Sequence, residues 1–244
     1  MVAIYGMLGY EYNVNSNILE SMGNTNWSLE RPAILHLYDD SMYKHIACKD
    51  DVIDKAYSFY YGGMYPEELR EIYDLCKDKK VIELGSMVGM SSYVIASVAE
   101  HVSCVDVWSD TQEHLSHDPL QQDVYKEFVP NLPNMLESFA TNCKDYIELG
   151  KISMFRGKTE DMVHNFPAKT ADILFIDADH SYIGVSNDYQ HYIHTLKDNG
   201  YLLFHDYGGM WQGVKYLCDE MVAKGEIKLV KIVMSLAIFQ KAQV

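Results

Sequence analysis

The sequence predicts an α/β fold: a doubly wound sheet of seven strands, mostly parallel, with a C-terminal antiparallel strand. Three observations carry this expectation. Seven short apolar runs, at 81–84, 102–107, 152–155, 173–176, 201–204, 228–234 and 236–239, have strand length. Between most of them apolar residues fall at helical spacing, and strands alternating with helices imply right-handed crossovers and a parallel sheet covered on both faces. Only Ser235 separates the last two runs. That is too little for a crossover helix, so the final strand pairs antiparallel with the one before it.

The first well-marked helix starts at Pro66, whose fixed φ suits a first helical position. Glu67 and Glu68 follow in the first turn, where the helix dipole favours acids, and Leu69, Ile72, Tyr73 and Leu75 continue at helical spacing. Val94 and Val98 mark a second helical face. Tyr182, Val185, Tyr189, Ile193 and Leu196 mark a third, and Val214, Leu217, Cys218 and Met221 a fourth. Before residue 66 the chain is rich in Tyr, Asn and Asp and holds no sustained apolar period. The expected organisation is an N-terminal extension at 1–65 and one domain at 66–244. Tyr57, Tyr60, Tyr61 and Tyr65 make the extension a candidate lid over an acceptor site, or an oligomer contact, with ordinary packing as the alternative.

At 244 residues, a single body buries about three quarters of the extended chain's surface and needs no staples to fold. Twenty Lys and Arg against thirty-five Asp and Glu leave a net charge of −15, which repels phosphate backbones. The densest cationic run is only Lys77–Asp78–Lys79–Lys80, so no nucleic-acid partner is expected. Five scattered cysteines without a CxxC pair fit a reducing compartment. Residues 1–12 lack basic residues and a small-residue cleavage site, and no apolar run reaches membrane-spanning length. The expectation is a cytoplasmic protein with no membrane partner.

In doubly wound sheets ligands sit beyond the carboxyl ends of the strands. The first strand ends in Glu83–Leu84–Gly85–Ser86–Met87–Val88–Gly89–Met90–Ser91–Ser92. Gly85 and Gly89 let the backbone turn and approach a ligand, and the next helix offers free N–H donors. Glu83 before the first glycine suits a cationic ligand better than a pyrophosphate, and the pattern is not GxGxxG. Asp106 ends the second strand about twenty residues on, where a carboxylate accepts ribose hydroxyls. After the third strand, Thr159 and Glu160 either meet an adenine edge or serve the next helix, with Thr159 as its cap. Trp108, His114 and His117 follow Asp106 in a polar loop, solvated by default. The fourth strand ends in Asp177–Ala178–Asp179–His180 and the fifth in His205–Asp206–Tyr207. As neighbours these strands bring Asp177 and Asp206 to one rim, where two carboxylates share a proton or bind a cation. Oxygen ligands with at most one imidazole favour Mg²⁺.

These strand-end motifs resemble those of class I S-adenosylmethionine-dependent methyltransferases. The stretch 83–92 is similar to the first motif of catechol O-methyltransferase and its relatives. The run 173–182 with Phe204–His205–Asp206–Tyr207 is closer to the macrocin-type sugar and cephalosporin-hydroxylase-like O-methyltransferases. The likeness covers residue 66 to the C-terminus and implies the Rossmann-like methyltransferase fold. It implies further that S-adenosyl-L-methionine is the cofactor. Glu83 would hold its amino group, Gly85, Ser86, Gly89 and Ser91 its methionine moiety, Asp106 the ribose, and Thr159 and Glu160 the adenine. Asp177 would border the cofactor and bind the metal, with His205 and Asp206 beside it. The related groups carry a pair of acids or Asp–Asn where this chain has His205–Asp206, so His205 replaces a carboxylate ligand, or the site is weak or metal-free. The general base is Asp179 in one register and His180 in the other.

The implied reaction is in-line attack of a hydroxyl on a sulfonium methyl, with Mg²⁺ as Lewis acid and template, and Asp179 or His180 taking the proton. The expected acceptor is a small hydroxylated molecule, a sugar or natural product. The alternatives are a nucleotide-dependent oxidoreductase, and a binding protein that keeps the pocket without turnover. An Asn/Asp-Pro-Pro-aromatic tetrapeptide, the mark of base methylation, is absent after the fourth strand.

Overall fold

A computed structural model describes residues 51–59, 63–109, 122, 134–209 and 211–242. The strands are β1 (Lys80–Leu84), β2 (His101–Asp106), β3 (Ile152–Arg156), β4 (Ala171–Ile176), β5 (Leu196–Phe204), β6 (Ile227–Val233) and β7 (Leu236–Lys241). Their order across the sheet is β3-β2-β1-β4-β5-β7-β6. β1 to β5 pair in parallel, and β7 is antiparallel to both β5 and β6. The hairpin foreseen at Ser235 is real: Val233 pairs with Leu236, and Met234 at the turn takes a φ of 53°.

The helices are α1 (Asp51–Tyr57), α2 (Pro66–Cys76), α3 (Met90–Val98), α4 (Met135–Asn142), α5 (Lys144–Glu148), α6 (Thr159–Met162), α7 (Tyr182–Tyr192) and α8 (Gln212–Ala223). Side chains alternate across a strand, so each central strand feeds two cores. Val81, Ile173 and Phe175 pack with Ile53, Leu69, Ile72, Val94 and Ile95 of α1 to α3. Ile82, Leu84, Leu174 and Ile176 pack on the other face with Val185, Tyr189, Val214 and Leu217 of α7 and α8. Truncating a fully buried residue such as Phe175 to Ala would cost roughly 3–5 kcal/mol.

Two expectations change. The apolar stripe from Tyr182 to Leu196 is not one helix: α7 stops at Tyr192, a 3₁₀ turn covers Ile193–Thr195, and Leu196 opens β5. Tyr182 is exposed instead of facing the core. Glu68, placed in the first turn for the helix dipole, is wholly buried as well. It shares a stripe with Ile72 and Cys76, four and eight residues on. In the stretch suggested as a lid, α1 packs Ile53 and Ala56 into the first core, and the Tyr57 hydroxyl donates to the Met64 carbonyl. Tyr60 and Tyr61 lie outside the described residues.

The sheet's hydrogen-bond ladder runs one residue past its strands. Gly85 N–H donates to the Val105 carbonyl at 2.9 Å, Asp177 N–H to Leu84 at 2.8 Å, and His205 N–H to Ile176 at 3.2 Å. The strand-end residues are thereby aligned along one rim. The chain order reverses between β1 and β4, and the crevice of a doubly wound sheet opens at that switch.

Candidate active site at the carboxyl rim

Gly85 turns the chain out of β1 with a φ of +88°, and a Cβ there would stand 2.1 Å from the Asp177 carbonyl oxygen. Only glycine fits, and the close approach joins the first loop to the end of β4. Behind it Glu83 is fully buried. Its Oε2 accepts from Ser86 Oγ at 2.7 Å, from Ser92 Oγ, and from Cys104 Sγ at 3.4 Å; Oε1 accepts from Ser91 Oγ at 2.5 Å. Burial pushes the carboxyl above its usual range, and the hydroxyl donors pull it part of the way back. Ser86, Ser91 and Ser92 are accordingly held by a buried acid rather than by water.

Asp106 braces the same loop. Its Oδ2 accepts from Met87 N–H at 2.8 Å and Oδ1 from Trp108 N–H at 2.7 Å. The backbone N–H groups of Ser86 and Val107 act on the same carboxylate, so it gathers the turn after β1 and the end of β2 around one charge. Trp108 corrects an expectation: instead of standing in a solvated loop it is 1% exposed, packs on Phe139 and donates Nε1–H to the Met87 carbonyl at 2.8 Å. His114 and His117 fall outside the described residues. Thr159 is not a cap; it is the first residue of α6, and Lys158 holds the cap position. Its hydroxyl donates to Asp188 Oδ1, and its carbonyl accepts from the Tyr192 hydroxyl at 2.8 Å. Glu160 is exposed, 3.9 Å from the Lys158 ammonium. Asp188 is 3% exposed, and burial, with Asp179 and Glu160 nearby, pushes its carboxyl up to about 7.

At the ends of β4 and β5 four side chains meet. Asp177 Oδ1 lies 3.4 Å from His180 Nε2 and 3.2 Å from His205 Nδ1. Asp206 Oδ2 lies 3.3 Å from His180 Nε2 and 3.4 Å from His205 Nδ1. Asp206 reaches this position through a left-handed φ of 57°. Burial opposes the Asp177 charge, but His205 and His180 outweigh it and hold that carboxyl at about 2. Burial likewise opposes charge on the imidazoles, and the facing carboxylates overcome it: both are pushed up, His205 furthest. Trp211, 4% exposed, packs its ring 5.1 Å from that of His180.

Two further residues complete the cluster from behind. Glu68 Oε2 lies 3.1 Å from His205 Nε2. Glu68 Oε1 accepts from Ser235 N–H and Oγ, each at 2.8 Å. Asp179 stands apart from the four: its Oδ1 accepts Ser181 N–H at 2.9 Å, and its carboxyl lies over Gly184 at the head of α7. Among the described residues Asp177, His180 and Asp206 present ligand atoms within 4.8 Å of one another. Two carboxylate oxygens with imidazole nitrogens are a donor set that fits a divalent cation. Sequence reasoning missed Glu68, Ser235, Asp188, Ser92 and Trp211. For Glu68 and Asp188 a signal existed, an acid at i+4 spacing within an apolar helical stripe.

The Gly-turn beside a strand-end carboxylate, on this strand order, is the frame of a class I S-adenosylmethionine-dependent methyltransferase. A family model described as a methyltransferase domain matches residues 82–207, just over half the chain, and the protein belongs to that family. Solved structures share the fold at low identity. The O-methyltransferase NovP is 18% identical at a TM-score of 0.60, with 75% of this chain and 82% of NovP covered. The O-methyltransferase TomG from Streptomyces achromogenes, in complex with SAM, is 12% identical at 0.57, with 84% and 96% covered. A putative caffeoyl-CoA O-methyltransferase from Staphylococcus aureus is 15% identical at 0.51, with 93% and 97% covered. No curated protein matches the chain in sequence. No helix among the described residues is long and apolar enough to cross a membrane.

Proposed function

We propose that the protein moves the methyl group of S-adenosylmethionine to a hydroxyl of a small acceptor, a sugar or natural product, assisted by a divalent cation at Asp177 and Asp206. The observation that carries this reading is the contact of Gly85 with the Asp177 backbone. It sets the first-motif loop directly against the carboxylate rim, so a donor on one side faces an acceptor on the other. O-methyltransferase neighbours such as NovP and TomG, the latter titled as involved in tomaymycin synthesis, support the oxygen nucleophile and the small acceptor.

In this reading Glu83 acts on the cofactor's amino group through Ser86 and Ser91, because its own oxygens are sealed and already hydrogen-bonded. Gly85 and Gly89, packed against the Asp177 backbone and against Cys143 and Phe139, hold the tight loop that lines the methionine moiety. Asp106 takes the ribose hydroxyls while fixing Met87 and Trp108. Thr159, held by Asp188, and Glu160 flank the adenine. Asp177 and Asp206 hold the cation, with His180 and His205 beside them; when bound it lowers the acceptor hydroxyl's pKa and fixes its distance. Asp179 or His180 receives the proton. Four of the five cysteines are buried free thiols, which suits a cytoplasmic setting.

Calorimetry with S-adenosylmethionine, S-adenosylhomocysteine and NAD tests the proposal, followed by methyl transfer to a panel of hydroxylated acceptors. We expect the two sulfur nucleosides to bind and NAD not to bind. NAD binding alone would establish the oxidoreductase alternative. Tight adenosylhomocysteine binding with no transfer to any acceptor would leave a binding protein.

A further inference from the structure

We infer that the rim is a nitrogen-rich metal site, built from Asp177, His180, His205 and Asp206 and oriented by Glu68, which takes a first-row transition ion such as Mn²⁺, Co²⁺ or Zn²⁺ in preference to Mg²⁺. The ion's binding stands on geometry alone; only its part in methyl transfer rests on the function proposed above.

The four donor atoms form a closed ring in which oxygen and nitrogen alternate. Its edges are 3.4, 3.3, 3.4 and 3.2 Å. Ligands about 2.0–2.1 Å from one ion stand about 2.9 Å apart at right angles and about 3.3 Å apart at tetrahedral angles. Each edge has the spacing of neighbouring ligands; Asp177, His180 and Asp206 present donor atoms within 4.8 Å of one another, and His205 Nδ1 adjoins both carboxylates. The ring's composition decides which ion fits. Mg²⁺ is a hard ion that takes oxygen and keeps several waters, whereas imidazole nitrogen suits Mn²⁺, Co²⁺ and Zn²⁺. The sequence suggested at most one imidazole here; the fold brings two.

The support behind the ring argues the same way. A metal-bound histidine nearly always gives its other N–H to a carboxylate or carbonyl, which fixes the tautomer and the ring plane. His205 has that arrangement: Nδ1 faces the two aspartates, and Nε2 stands 3.1 Å from Glu68 Oε2. Glu68 is itself held by Tyr65 N–H at 2.8 Å and by both donors of Ser235. An N–H on Nε2, given to Glu68, leaves the Nδ1 lone pair for the ion. Glu68 is thus a positioning residue.

The test titrates chelator-stripped protein by calorimetry with MgCl₂, MnCl₂, CoCl₂ and ZnCl₂, and records the visible spectrum of the Co²⁺ form. We expect Mn²⁺, Co²⁺ and Zn²⁺ to bind at least about 100-fold more tightly than Mg²⁺. His180→Gln and His205→Gln should each lower Co²⁺ affinity at least about tenfold and shift its spectrum, with little change for Mg²⁺. Glu68→Gln should cost about 10–100-fold in Co²⁺ affinity. Circular dichroism and adenosylhomocysteine titration on the same samples show that each variant is folded. Equal or tighter Mg²⁺ binding, an unmoved Co²⁺ spectrum in both histidine variants, or no metal binding would overturn the inference. In the last case the ring is an ion-pair network of imidazoliums and carboxylates. Adenosylhomocysteine binding without metal binding sinks this inference alone, whereas its absence beside tight Co²⁺ binding sinks the methyltransferase reading and leaves the metal site standing.

Discussion

Glu83 and Asp177 lie at the same end of adjacent strands, β1 and β4, and their environments drive them in opposite directions. Glu83 is sealed among three serine hydroxyls and a thiol, neutral donors that only partly offset burial, and its carboxyl rises. Asp177 is part-buried and faces two imidazoles, and its carboxyl falls to about 2. Desolvation acts on both, and the charge of the partner decides the outcome. The lesson concerns roles. The β1 side is a scaffold of neutral donors that shapes a pocket. The β4–β5 side holds fixed charge where a reaction can use it.

Asp177→Asn probes that division most severely. On the charged side it should lower methyl transfer by about three orders of magnitude, the loss of several kcal/mol of electrostatic stabilisation. Adenosylhomocysteine affinity should stay within a few-fold. A variant that kept a tenth of the activity would place the chemistry elsewhere.

Gly85→Ala attacks the joint between the two sides. A Cβ 2.1 Å from the Asp177 carbonyl oxygen, at a φ of +88°, has nowhere to go without moving β4 or the loop. We expect a loss of at least about 4 kcal/mol in urea unfolding, or failure to fold. A mild effect would mean that the loop and the rim are not rigidly coupled.

The sequence made the strand ends visible because each follows an apolar run with a carboxylate or a glycine, a pattern a doubly wound sheet uses for ligands. Asp106, Asp177 and Asp206 were legible in that way. Glu68 and Asp188 were not, because an acid on a helix is normally solvated. Only the neighbours at 72 and 76, and at 185, 189 and 192, mark those positions as buried. The second imidazole of the rim was hidden for another reason. His180 and His205 are 25 residues apart in sequence. They converge only because β4 and β5 are paired, with Ile176 opposite Phe204.

Asp188 offers a pH test of the pocket's far wall. Its folded carboxyl, raised to about 7 chiefly by burial, lies above the unfolded value of about 4. Such an acid contributes stability that is full below about pH 4 and is lost as pH rises through about 7. Asp188→Asn keeps the acceptor for Thr159 and removes the titration. Between pH 4 and 8 the wild type should lose about 4 kcal/mol relative to the variant, read from paired urea curves. Parallel curves would mean that water reaches Asp188 and leaves its ionisation ordinary.

The smallest expected effect separates two serines on the β1 side. Ser91 donates to Glu83 Oε1, whereas Ser86 shares Oε2 with Ser92 and Cys104. Ser91→Ala therefore strips one buried oxygen of its hydroxyl donor and should cost about 1–2 kcal/mol in unfolding free energy. Ser86→Ala leaves Oε2 two donors and should cost less than about 1 kcal/mol. Cofactor affinity should show the reverse ranking if Ser86, in the turn between Gly85 and Met87, is the group that meets the ligand. Equal stability losses would show that Glu83 redistributes its hydrogen bonds freely. The scaffold of neutral donors would then be adaptable where the charged rim is fixed, and the contrast between the two sides would extend from charge to rigidity.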